Sequence, residues 1–344
     1  MTLMAATLRL GPWAVGAMAA YNGSPPDFRQ AGWSSWACAP VWSAAMTAAL
    51  LDLPQDPVAL RELNADLHCH STVSDGTLPP AEVAARAARN GVQLWALTDH
   101  DEIGGLVEAA AAARDLGLPF LTGTEISVSF AGETVHIVGL GFDAGNENLR
   151  RGLSRTRGGR EERAREMAAG LAQVGIHGAY EGALQYVGNP ELISRTHFAR
   201  WLVERGHCQD TSEVFRRFLT PGRPGFVEHR WATLREAITW ISEAGGVAVV
   251  AHPGRYDRLS VNAKHALMVD FQALGGRAIE VVTGSHTVAE YQEYAQVAQS
   301  FGLAASRGSD FHSPEESHID LGQLPALPYA LTPVWSLVAS RIQA

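Results

Sequence analysis

The sequence predicts an α/β domain of seven strands, arranged as a parallel sheet or barrel and interrupted by a helical insertion. Three observations predict it. Apolar runs of strand length alternate with helical periods from residue 65 onward. The runs end in polar tips rich in His, Asp or Glu. Between Phe142 and Gly245 the alternation stops, and long helical patterns take its place.

Taken in order, "ADLHCH" reads as the first strand. Pro79 to Asn90 reads as a helix, with proline near its start, where a missing N–H costs nothing, and Gly91 just past its end. "VQLWALTDHD" is a buried strand, Ile103 to Leu116 the next helix, and "PFLTGTEIS" a third strand that Glu125 is expected to end. "ETVHIVGLGFD" is the fourth. Residues 147–174 and 197–218 carry the helical patterns of an insertion spanning about 147–232, expected to cap the barrel. "GGVAVVAHPGR", "RAIEVVTGSH" and "LAASRGSDFH" supply strands five to seven, interleaved with helices near 232–244, 262–275 and 287–301. Residues 1–62 are rich in Ala, Trp, Pro and Ser and show no sustained period. They are expected to be an extension, disordered or foreign to the natural protein, so that the barrel domain runs from 63 to 344.

With 46% hydrophobic and 18% charged residues, the composition suits a soluble globular enzyme with a sizeable core. The net charge of −9 argues against coating nucleic acid non-specifically, and no stable DNA binding is expected. Three cysteines, Cys38, Cys69 and Cys208, lack CxxC spacing, and so odd and sparse a count argues against a disulfide framework and fits a reducing, cytoplasmic compartment. No apolar run is long enough to span a membrane.

The chemistry sits at the strand tips, where barrel enzymes concentrate it. His68 and His70 are two apart on a strand, so both imidazoles face one way and Cys69, read as core, faces the other. Asp75 follows in a turn that can return over the same mouth. "TDHD" supplies Asp99, His100 and Asp101; Glu125, His136 and His252 follow on later strands, and "GSDFH" adds Asp310 and His312. One such residue at a strand end is commonplace; their joint occurrence is not. Imidazoles with carboxylates and no thiolate favour manganese, zinc or iron over a structural cysteine–zinc site. Nine ligands suit two or three ions rather than one, with Glu125 and Asp310 as bridging candidates. Clustered divalent ions suit hydrolysis of phosphate esters.

"DLHCHSTVSDG", "LTDHD", "GTEIS", "HIVGL", "AHPGRY" and "GSDFH", in this order over about residues 64–325, resemble the successive motifs of the PHP (polymerase and histidinol phosphatase) family. The resemblance implies a distorted (β/α)7 barrel with a di- or trinuclear site, manganese first among the metals. Its ligands would be His68, His70, Asp75, His100, Glu125, His136, His252, Asp310 and His312. Within the family, the insertion and "LISRTHFARWLVERG" look most like the 3′,5′-nucleoside bisphosphate phosphatases and the related 5′-3′ exoribonucleases. That implies a small phosphorylated nucleotide, or a short RNA 5′ end, as substrate. A phosphatase for another small ester, such as histidinol phosphate, and a non-catalytic module of a polymerase are the alternatives.

On this reading Asp310 shuttles a proton, while Arg195, His197 and Arg255 bind a second phosphate, Arg255 being carried to the metals by its place after His252-Pro253. Asp99 and Asp101 are either partners that fix the His100 tautomer or caps at the strand end. The seven arginines from Arg150 to Arg165 are either a solvated helix face or a track for an oligonucleotide backbone. Nothing in the sequence forces Glu280, His286 or His318 to the mouth.

Overall fold

The structure is a computed structural model, and it describes residues 53–54, 56–328 and 331–343. The expectations for residues 1–52 lie outside the described residues. Seven strands form one sheet in chain order: β1 (Ala65–Asp66), β2 (Leu94–Leu97), β3 (Phe120–Phe130), β4 (Glu133–Leu140), β5 (Val247–Val250), β6 (Ala278–Thr283) and β7 (Ala304–Gly308). The sheet nearly closes on itself. Leu67 N–H donates to Arg307 O (3.0 Å), Asp310 N–H to His68 O (2.8 Å) and His70 N–H to Phe311 O (2.8 Å), which stitches the segment after β1 to the end of β7.

The expected parallel arrangement fails at one strand. β4 runs antiparallel to both β3 and β5. Ala131 and Gly132, with φ of 48° and 77°, form a two-residue hairpin turn, so no crossover helix separates β3 from β4. The hairpin lengthens β3 to 11 residues, and Glu125 therefore lies inside that strand instead of ending it.

Helices α2 (Pro80–Arg89), α3 (Leu106–Leu116), α9 (Leu234–Glu243), α10 (Val261–Ala273) and α11 (Val288–Ser300) follow β1, β2, the insertion, β5 and β6. Thr233 with Glu236 and Thr287 with Glu290 form capping boxes that start α9 and α11. The insertion carries α4 (Glu147–Arg157), α5 (Arg160–Gln173), α6 (Ala179–Leu184), α7 (Arg195–Glu204) and α8 (Thr211–Val214), then one π-helical turn at Phe215–Leu219. It has a core of its own, including Met167, Leu171, Phe198, Trp201 and Leu202. The helical patterns of 147–174 and 197–218 are each divided, into α4 and α5 and into α7, α8 and the π-helical turn. Gly206, at φ 73°, follows the end of α7, and the Asp210 carboxylate accepts from Glu213 N–H to begin α8.

A helix also precedes the expected start of the domain. In α1 (Pro57–Glu62) the Leu60 carbonyl accepts from the indole N–H of fully buried Trp335 (2.9 Å). Starting the chain at Leu63 strands that donor and is expected to cost about 1–3 kcal/mol in chemical denaturation. A chain starting at Asp52 keeps the bond and should unfold like the full protein.

Candidate metal centre

The structure brings all nine candidate ligands to one end of the barrel, grouped as His70–Asp75–His100–His312, His68–His70–Asp310, His68–Glu125–His252 and His100–Glu125–His136. Glu125 is the hub. Its Oε1 lies 2.9 Å from both His136 Nδ1 and His252 Nε2, and its Oε2 lies 2.9 Å from His100 Nδ1. The same Oε2 is 3.3 Å from the Nε2 atoms of His68 and His70. Asp310 Oδ1 approaches the same two imidazoles at 3.5 and 3.3 Å. Asp75 Oδ1 stands opposite, 3.4 Å from His312 Nε2 and 3.8 Å from His100 Nε2.

Backbone strain is concentrated here. His252, Asp310 and Asp101 adopt φ of 24°, 55° and 51°, where side-chain-bearing residues are uncommon. Each is held by its own N–H: His252 to Glu280 Oε2 (2.6 Å), Asp310 to His68 O and Asp101 to Glu125 O (both 2.8 Å). Glu280 was not assigned a role from sequence, and it has two. Its Oε1 sits 2.8 Å from His68 Nδ1, which leaves His68 Nε2 for the cluster, while its Oε2 fixes the His252 backbone. Glu280→Ala is expected to weaken divalent-metal affinity roughly tenfold or more, read by chelator competition.

Neither aspartate beside His100 fixes its tautomer. Asp99 accepts from Ser71 N–H, Ser71 Oγ and Ser74 Oγ (2.8, 2.7 and 2.6 Å), which shapes the turn that carries Asp75. Asp101 accepts from Ser127 N–H and Oγ and pairs with Arg160, joining β3 to the insertion. Cys69 is fully buried, as expected. His286 is buried and supports from behind, its Nε2 accepting from Gly254 N–H (3.0 Å), whereas His318 lines a separate cleft.

Close approach is also built in at Gly308, where an added Cβ would stand 2.3 Å from His68 Cβ and 2.7 Å from His68 N. The neighbour is backbone and cannot swing away. Gly308→Ala is expected to cost about 1–3 kcal/mol and to reduce metal loading, measured by denaturation and elemental analysis.

The donor set fits divalent metal ions. His68 Nε2, His70 Nε2, His100 Nδ1, Asp75 Oδ1 and Glu125 Oε2 are buried and lack hydrogen-bond partners among the described residues. They converge on shared points, as ligands do, instead of pairing off. Burial alone would raise the Glu125 carboxyl, but His136, His100 and His68 hold it well below the usual carboxylate range. Burial opposes the charge on His70 as well, yet Asp310 and Glu125 hold its proton up to about 10. Burial and the Arg255 charge push His252 down to about 4. Metal must displace the His70 proton, so affinity should tighten with rising pH, by roughly tenfold or more between pH 6 and pH 8 in chelator competition.

A cavity of about 110 Å³ opens from Asp75, His100, His136 and His312 toward a wall of arginines. Arg255 Nη1 reaches Asp310 Oδ2 at 2.8 Å. Half-buried Arg195 lines the far side, and burial together with the Arg255 charge lowers it to about 10. Arg163, not singled out from sequence, lines the same wall and is 8% exposed. Arg157, Arg160 and Arg163 recur at every third position and turn inward, while Arg150, Arg151, Arg155 and Arg165 face solvent. The arginine run is thus neither wholly a solvated face nor a continuous track. His197 is not brought to the cavity. It is fully buried, and its Nδ1 accepts from Ser194 N–H (3.0 Å), filling the place that Glu or Gln takes in a capping box.

Known proteins resemble the chain along most of its length. Residues 66–213 match the PHP domain family model. A 3′,5′-nucleoside bisphosphate phosphatase from Chromobacterium violaceum is 52% identical, over 81% of this chain and 98% of that protein. A 5′-3′ exoribonuclease from Haemophilus influenzae is 41% identical over 78% of this chain and 97% of that protein. A solved structure from Bifidobacterium adolescentis, whose name is that of a metal-dependent phosphoesterase, superposes with a TM-score of 0.68 at 28% identity, covering 80% and 96% of the two chains. The chain belongs to the PHP family of phosphoesterases.

Proposed function

We propose that the enzyme hydrolyses the 3′-phosphate of nucleoside 3′,5′-bisphosphates, and that the same site trims short RNA from its 5′ end. One observation carries the reading. A His and carboxylate cluster and a wall of arginines face each other across one cavity, which provides separate sites for two phosphates on one small molecule. His68, His70, Asp75, His100, Glu125, His136, His252, Asp310 and His312 would hold two or three divalent ions, with manganese favoured by the nitrogen and oxygen donors and zinc or iron compatible with them. When bound, such ions supply electrophilic activation of the phosphoryl group and acidify water.

The chain's own groups do the rest. Asp310 is held well below the usual carboxylate range: burial raises it, but His68, His70, His312 and Arg255 outweigh that. It is therefore ionised at neutral pH and a weak base, so a proton taken at its Oδ2, where Arg255 already donates, would be passed on and not kept. The remaining Arg255 nitrogens can meet charge building on the phosphoryl oxygens. Arg195 and Arg163 hold the phosphate that stays, so that binding far from the reacting bond positions the bond. Two buried free thiols, Cys69 and Cys208, fit a reducing cytoplasm. No helix among the described residues is long and apolar enough to cross a membrane.

The test is an assay of purified protein, its metals quantified, against phosphorylated nucleotides, short RNAs, histidinol phosphate and an aryl phosphate. Adenosine 3′,5′-bisphosphate is expected to exceed the aryl phosphate in kcat/KM by about tenfold or more. Preference for histidinol phosphate would overturn the nucleotide reading.

A further inference from the structure

The arginine wall of the cavity at the cluster is shared with a second cavity. Arg163, Arg195, Thr134 and Trp231 line the first on one side and the second, of about 490 Å³, on the other. The β3–β4 turn and the chain returning from the insertion enclose this second chamber, and Arg230 and Arg258 add cations to it. Two carboxylates share it: Glu133, paired with Arg258 at 3.1 Å, and exposed Glu228. The Arg258–Glu133 pair is half-exposed on the arginine side and therefore weakly held.

Two features say that the chamber takes an anion rather than a base. Arg163 and Arg195 form no ion pair among the described residues; Arg163 Nε donates only to the Val227 carbonyl (3.1 Å). Burial and the neighbouring charges of Arg195 and Arg160 lower Arg163 to about 9, the mark of a cation left uncompensated. Trp231, the aromatic residue best placed to stack, is already occupied. Arg160 and Arg163 lie over its ring at 4.6 and 5.3 Å, and His229 meets it edge-on at 4.2 Å.

We propose that this chamber receives an anionic group joined to the 5′-phosphate, such as the second phosphoryl of a 5′-diphosphate, so that the enzyme accepts 5′-extended nucleoside 3′-phosphates as well as bisphosphates. The inference rests on the nucleotide reading above. The reaction is unchanged: water oxygen bonds to the 3′-phosphorus, the P–O3′ bond breaks and the ribose oxygen takes a proton. The products are inorganic phosphate and the nucleoside 5′-diphosphate, whose anhydride is untouched.

The experiment measures kcat/KM for adenosine 3′,5′-bisphosphate and adenosine 3′-phosphate 5′-diphosphate, with the wild-type enzyme and Arg258→Ala. Wild type is expected to treat the two substrates within about threefold of each other. Arg258→Ala should lower the diphosphate value about fivefold or more while leaving the bisphosphate value within about twofold. Wild-type discrimination against the diphosphate by about thirtyfold, or an equal effect of Arg258→Ala on both substrates, overturns the proposal. Failure of the nucleotide reading itself looks different: neither nucleotide is hydrolysed while a simple phosphate ester is, and both inferences fall together.

Discussion

Glu125→Gln is expected to leave a folded protein that binds little metal and loses about a thousandfold or more in kcat/KM, the scale on which essential catalytic groups act. The substitution removes one charge and almost no volume. It acts at the point where the imidazoles of His68, His70, His100, His136 and His252 all come within 3.3 Å of one carboxylate. A neutral amide cannot offset cations on both sides, and its NH₂ would point a donor at atoms that need an acceptor. The fold should survive, because Ile126 and Val128, buried on the same strand, and the β3–β4 ladder do not depend on the charge. Elemental analysis, circular dichroism and turnover on the same preparation separate the possibilities. Near-normal turnover with full metal content would remove Glu125 from the centre.

Seven of the nine clustered residues were legible because they follow the end of an apolar run, where a strand leaves the core and a polar side chain needs a purpose; Glu125 and His136 lie inside β3 and β4. What lay inside an element was harder to read. Glu280 stands in the middle of "AIEVVT", a run buried throughout, and the signal was present: a carboxylate in such a strand must have a partner. Arg163 looked like its neighbours in a basic run, though its spacing from Arg160 places those two on one buried face of α5. The β3–β4 hairpin was missed because its turn is Ala-Gly, without the Asn-Gly or Asp-Gly that announces such turns. His197 misled for a chemical reason. An imidazole nitrogen accepts from a backbone N–H as a carboxylate does, so Ser194-Arg-Thr-His197 starts a helix while resembling a phosphate contact.

Arg195→Ala carries the second large expectation, because it separates the two anion sites. A charge-assisted hydrogen bond at a partly buried position contributes on the order of 1.5–3 kcal/mol. At about 1.4 kcal/mol per decade, its loss should cost roughly tenfold to a hundredfold in kcat/KM on adenosine 3′,5′-bisphosphate. An aryl phosphate has no second anion to place, so its hydrolysis should change by less than about threefold. The contrast matters more than either number. Arg195 sits over the Phe215 ring (5.6 Å) and donates only weakly to Leu219 O (3.4 Å), so its removal could loosen the insertion. Loosening would depress both substrates, whereas loss of an anion contact depresses one. Arg195→Lys refines the test: it keeps the charge without the fork that grips two oxygens at once, and should recover part of the bisphosphate activity. If Arg195→Ala lowers both substrates alike, the arginine serves the fold, and the bisphosphate reading loses its second site while the phosphoesterase centre stands.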